Sequence, residues 1–73
     1  MMNSNDADNS AGAALRVLRI KAGLTLADIA VRADTSESYL SNVERGKADG
    51  SRAYFAKVTE VIVDAFKETR AAS

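Results

Sequence analysis

The sequence has few side chains capable of covalent or metal chemistry. Its 73 residues include no histidine and no cysteine, which removes the usual general base, the usual zinc ligands and the Ser-His and Cys-His triads. The carboxylates are scattered, so we expect no enzymatic activity, no cofactor and no small-molecule substrate. The residue types do allow hydrogen bonding, because serines, an asparagine and a glutamate crowd between residues 36 and 42.

Two short helices are predicted to present this polar segment. Thr25 and Asp28 form a capping-box pattern, which predicts a helix that ends at Asp34, a residue type that tolerates the positive φ of a tight turn. Ser36 is again of an N-cap type, so a second helix should start almost at once and end at Gly46. Two helices joined so closely cross steeply, which leaves one side of the second free to enter a DNA major groove. By spacing alone, the pair could also be a helical hairpin of another kind.

A longer helix is predicted on each side of this pair. The first starts at Ser10 as N-cap and is stopped by Gly23. The last starts after Ser51 and extends to about Thr69. The expected buried face of the first helix contains Ala11, Leu15, Leu18 and Ala22, at the spacing of one helical face.

The last helix is apolar over an unusually wide surface. At about 100° per residue its apolar positions cover roughly 200° of the circumference, more than one small core needs. One interpretation is a central helix surrounded by the other three. The other is that its C-terminal half also meets a second subunit. The apolar stripe consists of Phe55, Val58, Ile62, Ala65 and Phe66, flanked by Tyr54, Ala56, Val61 and Val63. The candidate dimer contacts are Val61, Ile62, Val63 and Phe66.

Composition favours an all-α fold of four to five helices in a compact bundle. Proline is absent, and the β-branched residues do not alternate as they do in strands. We expect a loose acidic and polar tail over residues 1–10, a folded domain over 11–69 and a frayed C-terminus over 70–73. No apolar stretch is long enough to span a bilayer and the N-terminus lacks signal-peptide features, so a cytoplasmic protein without membrane contact is expected.

The two short helices resemble a known family. The segments from Leu24 to Ala30 and from Thr35 to Lys47 are similar to the helix-turn-helix of phage repressors and Cro proteins, the lambda-repressor-like or xenobiotic-response-element family. Arg19, followed by Ala22-Gly23-Leu24, matches the Arg-x-x-x-Gly-Leu part of the family pattern. The resemblance covers about residues 15 to 62, and it implies a lambda-repressor-like helical bundle that binds double-stranded DNA.

The resemblance also implies which residues contact DNA. In similar proteins the first helix of the pair crosses the phosphate backbone and the second, here residues 36–45, lies in the major groove. By position, the base contacts are Glu37, Ser38, Ser41 and Asn42. The backbone contacts are Thr25, Ser36, Tyr39, Arg45, Lys47 and Arg52.

Each of these assignments has a plainer interpretation beside it. Asn42 can pair with adenine and Glu37 can accept from N4 of cytosine, but an acid in a first helical turn is also favoured by the helix dipole. Tyr39 could be a half-buried spacer against Thr35. The basic residues could form an ordinary solvated surface.

Other family positions imply structure instead of DNA contact. Arg19 and Glu44 match a pair that joins the first and third helices and sets the angle of the second helix of the motif. Three positions depart from the family pattern. Leu26 stands where a phosphate-contacting glutamine is usual, Asp34 replaces a turn glycine, and Gly50 replaces a proline before the last helix.

The implied function is a sequence-specific transcriptional regulator, of repressor or Cro type and of phage or prokaryotic origin, that binds a palindromic operator as a homodimer. The net charge is zero, but residues 11–52 carry seven basic and five acidic residues, a net charge of +2. The alternative is a protein-interaction module of the same fold, antitoxin-like or antirepressor-like, with weak or no DNA binding. Leu26, Asp34 and Glu37 motivate it, because each weakens the DNA-facing surface.

Overall fold

Four helices and no strand make up the part of the chain that the structure describes. The computed structural model gives the backbone of residues 4–72 and the side chains of residues 11–69. The helices are α1 (Ser4–Lys21), α2 (Leu26–Arg32), α3 (Glu37–Glu44) and α4 (Arg52–Ala72). The expected all-α bundle is confirmed. Within residues 4–72, no helix combines the length and the apolar content that crossing a membrane requires.

The helices pack around one small core to which each of them contributes. α1 and α2 both lie against α3 and α4, so each short helix of the motif also contacts one of the two long helices. The core consists of Leu15, Ile29, Ala33, Leu40, Val58 and Ile62.

The predicted helix starts and turns are confirmed where local chemistry determines them. Thr25 and Asp28 form the complete capping box at the start of α2. The hydroxyl of Ser36 accepts the Tyr39 N–H at the start of α3. Asp34, between α2 and α3, has a φ of 56°, which is the left-handed conformation that the tight turn requires.

The ends of the two long helices differ from the prediction. α1 begins at Ser4, so Ser10 lies inside the helix and is not its N-cap, and residues 4–10 are helical where a loose tail was expected. Residues 4–11 contain no glycine or proline that would interrupt a helix. α4 continues to Ala72, past the expected end near Thr69. The remainder of the predicted tail and frayed end lies outside the described residues.

The buried face of α1 is also rotated from the predicted one. Gly12 and Leu15 are buried, whereas Ala11 is exposed and Leu18 is 41% exposed. The reason is that Gly12 lets α1 approach the backbone of α3: a Cβ at this position would overlap the carbonyl oxygen of Val43. The spacing of apolar side chains does not reveal a helix face that is buried through a glycine.

Only part of the wide apolar surface of α4 belongs to the core. Val58, Ile62 and Ala65 are buried, whereas Val63 is 43% and Phe66 36% exposed. The expectation that Ile62 contacts a second subunit is therefore wrong, because the monomer already buries it. The backbone of α4 lies closest to α1 and α2, and α3 contacts α4 through side chains such as Tyr39, which packs against Tyr54.

Gly12→Ala should destabilise the fold, although glycine to alanine inside a helix ordinarily stabilises by about 0.5–1 kcal/mol. The added methyl group overlaps a backbone carbonyl, and overpacking of this kind costs about 1–3 kcal/mol. Urea unfolding followed by circular dichroism measures the difference. Ala13→Gly, at the next and exposed position of α1, is the matched control and should show only the ordinary propensity loss. A Gly12→Ala protein as stable as the parent would contradict the close approach.

Candidate nucleic-acid interface

A buried ion pair fixes the C-terminal end of α3. Arg19 Nε donates to Glu44 Oε2 at 2.7 Å and Arg19 Nη2 donates to Glu44 Oε1 at 3.0 Å, a two-bond arrangement that the planar guanidinium favours. The side chains are only 11% and 3% exposed, respectively. The remaining Nη1 of Arg19 donates to the Leu24 carbonyl at 3.0 Å. One side chain of α1 thus holds both α3 and the segment that leads into α2.

A cluster of aromatic side chains fixes the opposite edge of α3. The rings of Tyr39 and Tyr54 meet edge to face with centroids 5.0 Å apart, and the Tyr54 hydroxyl lies 3.0 Å from Thr35 Oγ1. The Tyr39 hydroxyl donates to the carbonyl of Asp49 at 2.8 Å. Because that donor is already engaged, a hydrogen bond from Tyr39 to a phosphate oxygen would require breaking this contact. Tyr39 thus packs against Tyr54 and bonds the loop at Asp49, whereas the side chain that contacts Thr35 is that of Tyr54.

The outward face of α3 carries the polar side chains predicted to read bases. Glu37 and Ser38 are exposed, and Ser41 and Asn42 are half-buried. These four residues line one shallow recess together with Arg45 and Leu26. Arg45 Nη2 approaches Asn42 Oδ1 at 3.5 Å, a long contact. Among the described residues, no side-chain hydrogen bond engages Glu37, Ser38 or Ser41, so these groups can bind a ligand.

Two hydroxyl groups cap the short helices. Thr25 Oγ1 accepts the Asp28 N–H at 3.0 Å, and Ser36 Oγ accepts the Tyr39 N–H at 3.0 Å. Both side chains are exposed. A hydroxyl has one donor and two acceptor positions, so Ser36 can cap its helix and still donate to a phosphate oxygen, whereas the Thr25 hydroxyl also bonds the Asp28 carboxylate.

The Asp28 carboxylate completes the cap of α2. The backbone N–H of Thr25 donates to it at 2.8 Å, and this hydrogen bond, with that of the Thr25 side chain, holds the pKa of the Asp28 carboxyl below its ordinary value. The charged form is thus the one that the fold stabilises. This contribution is present above the ordinary pKa of the group and is lost as the pH falls through the lowered one.

Three exposed basic residues lie between the end of α3 and the start of α4. Arg45 caps the C-terminus of α3, Lys47 lies in the following loop and Arg52 begins α4. Within residues 11–69, none of the three forms a salt bridge. The loop is attached to α3, because the N–H groups of Lys47 and Ala48 donate to the Asn42 carbonyl at 2.7 and 3.2 Å.

Two residues that shape this surface were not assigned roles from the sequence. Leu26 was noted only as a departure from the family pattern, whereas the structure places it in the recess beside the polar face of α3. Gly12 was overlooked, although a glycine within an alanine-rich helix is a signal of close backbone approach.

Comparison with known proteins identifies the class of this helix pair. A family model described as "Helix-turn-helix domain" matches residues 10–71. The chain belongs to this family, which is a DNA-binding family, and such domains are typically non-enzymatic. The predicted helix-turn-helix is thereby confirmed. No curated protein and no solved structure matches the chain.

Removing one partner of the buried ion pair should cost about 3–5 kcal/mol of unfolding free energy, because the other charge is left buried and unpaired. Arg19→Met is the single variant, and Arg19→Met with Glu44→Leu is the double variant, which removes both charges. We expect the double variant to recover most of the loss in chemical denaturation. If the double variant were less stable than the single variant, the loss in the single variant could not be attributed to an unpaired buried charge at Glu44.

Proposed function

We propose that this chain is a sequence-specific transcriptional regulator of lambda-repressor or Cro type, from a phage or prokaryote, that binds a palindromic operator as a homodimer. The observation that carries the proposal is the outward face of α3. Four polar side chains lie there on a helix that is fixed at one end by the Arg19–Glu44 pair and along its edge by Tyr39. In a helix-turn-helix protein this is the helix that enters the major groove.

The side chains of this face suit the edges of base pairs. Asn42 can both donate to N7 and accept from N6 of adenine, Ser38 and Ser41 can bind either class of base, and Glu37 can accept from N4 of cytosine. Each good two-bond pair contributes about 1–3 kcal/mol of discrimination. The mixture of donors and acceptors supports readout of a defined sequence over a purely electrostatic attachment.

The surrounding donors suit the phosphate backbone. Lys47 supplies positive charge in the loop after α3 and Arg52 at the start of α4. Ser36 has a free hydroxyl donor at the start of α3, and Thr25, whose hydroxyl also bonds the Asp28 carboxylate, lies at the start of α2. Arg45 is positioned for the backbone as well, although its place in the recess also allows a base contact. With so few cations, the affinity of one domain should be modest and should fall steeply with salt.

A second copy would double this interface. Half-sites about one helical turn apart, roughly 34 Å, are the arrangement that two-fold dimers of this class bind. Val63 and Phe66 are the large apolar side chains of α4 that the monomer leaves exposed. Val61, which is partly buried against the core, lies on the other flank of α4, so we assign the dimer contact to Val63 and Phe66.

Selection of bound sequences from a random DNA pool tests the function directly, and a palindromic consensus is expected. Asn42→Ala should relax the preference at one base position in each half-site. Lys47→Ala should instead weaken binding to all sequences alike and lower the salt slope by about 1. Affinities measured at several salt concentrations distinguish the effect of Asn42→Ala from that of Lys47→Ala. Affinity that does not change with salt would refute the proposal, and copurification with another protein without any DNA binding would favour the interaction module.

Phe66→Glu combined with Val63→Glu should convert the dimer to a monomer, because charges replace the exposed apolar contact. Sedimentation equilibrium measures the association, and affinity for a full site should fall while affinity for an isolated half-site stays unchanged. Val31→Glu is the matched control, since Val31 is 82% exposed on α2. If the double variant still sediments as the parent does, the dimer contact lies elsewhere.

A further inference from the structure

The recess beside α3 combines an apolar wall with a carboxylate. Leu26 and Glu37 are both among its lining residues, and each is the first residue of its helix. The other lining groups, Ser38, Ser41, Asn42 and Arg45, are polar or charged. A branched aliphatic side chain makes no favourable contact with a phosphate. It can contact the C5 methyl group that thymine and 5-methylcytosine present in the major groove.

We propose that this recess recognises 5-methylcytosine, with Glu37 accepting from the N4 amino group and Leu26 contacting the methyl group on C5. This inference rests on the proposed function, because it needs α3 in the major groove. Carbons 4 and 5 of the ring are adjacent, so one base presents its amino donor and its methyl group to the two residues together.

The two side chains select this base over both related pyrimidines. Thymine carries the same methyl group, but its O4 is an acceptor, and a carboxylate without a donor repels it. Unmethylated cytosine satisfies Glu37 and leaves Leu26 without a partner. Only 5-methylcytosine offers both groups.

Both residues are held where this contact needs them. Leu26 packs on one side against the core and lines the recess with the other, so its position is fixed by the fold. It follows directly on the capping box of Thr25 and Asp28. Glu37 follows the N-cap Ser36, is exposed, and forms no salt bridge within residues 11–69. Its carboxylate is free to accept from a base.

The decisive measurement uses the unaltered protein and changes only the DNA. Duplexes carrying the selected site are prepared with cytosine, 5-methylcytosine or thymine at each cytosine position in turn, and affinities are measured by fluorescence anisotropy at one salt concentration. At one position per half-site we expect 5-methylcytosine to bind about fourfold more tightly than cytosine, the gain from burying one methyl group. Thymine at that position should bind most weakly.

Variants then assign the effect to its residues. Leu26→Gln should bring the ratio of methylated to unmethylated affinity to about 1, whereas Val31→Gln, an apolar-to-polar change on the exposed side of the same helix, should leave the ratio unchanged. Glu37→Gln should reduce the discrimination against thymine and keep the methyl preference. Circular dichroism confirms that each variant is folded, and if Leu26→Gln does not fold, the series with the unaltered protein decides.

Each result has a definite meaning. Equal affinities for cytosine and 5-methylcytosine at every position would overturn this inference and leave the proposed function standing. A methyl preference that survives in folded Leu26→Gln protein would overturn it as well. Failure to bind any duplex would overturn both.

Discussion

The ion pair between Arg19 and Glu44 positions the surface on which function depends. α3 has only eight residues, too few to be stable as an isolated helix, so its orientation must come from contacts with the rest of the chain. The pair joins its last turn to α1, and the third hydrogen bond of the same guanidinium holds the Leu24 carbonyl ahead of α2. Burying two charges is costly, but here each finds hydrogen-bonding partners, which is the condition under which buried ions are tolerated.

The close packing of small residues makes this arrangement possible in a short chain. Gly12 removes the side chain that would separate α1 from the end of α3, and the resulting approach brings Arg19, two turns further along α1, within reach of Glu44. The core itself contains few large side chains. The close approach of two backbones thus adds to the packing of a small apolar core.

The local features of the fold could be predicted from residue types. Of the long-range features, the Arg19–Glu44 pair was expected from the family resemblance and is present, whereas the close approach of α1 to α3 was not predicted. Thr25, Asp28, Asp34 and Ser36 determine caps and a turn through atoms a few residues away, so their types were sufficient. The buried face of α1 was predicted wrongly because it is set by a contact that is distant in sequence. Gly12 is buried because it lies against the carbonyl of Val43, 31 positions further along the chain. For the site, the helix pair and its polar face were predicted, whereas the role of Leu26 requires knowing that it lies beside Glu37. The individual DNA contacts stay predictions.

The hydrogen bonds of the loop after α3 bear on the entropy of binding. The Tyr39 hydroxyl holds the Asp49 carbonyl, and the Asn42 carbonyl receives the N–H groups of Lys47 and Ala48. The backbone of Lys47 is thus ordered together with the helix that carries the polar face. Much of the ordering that a flexible loop would undergo on meeting DNA is complete once the chain has folded. If α3 enters the groove as proposed, association needs little rearrangement of the protein, and the positions of Lys47 and of α3 relative to the DNA are set together.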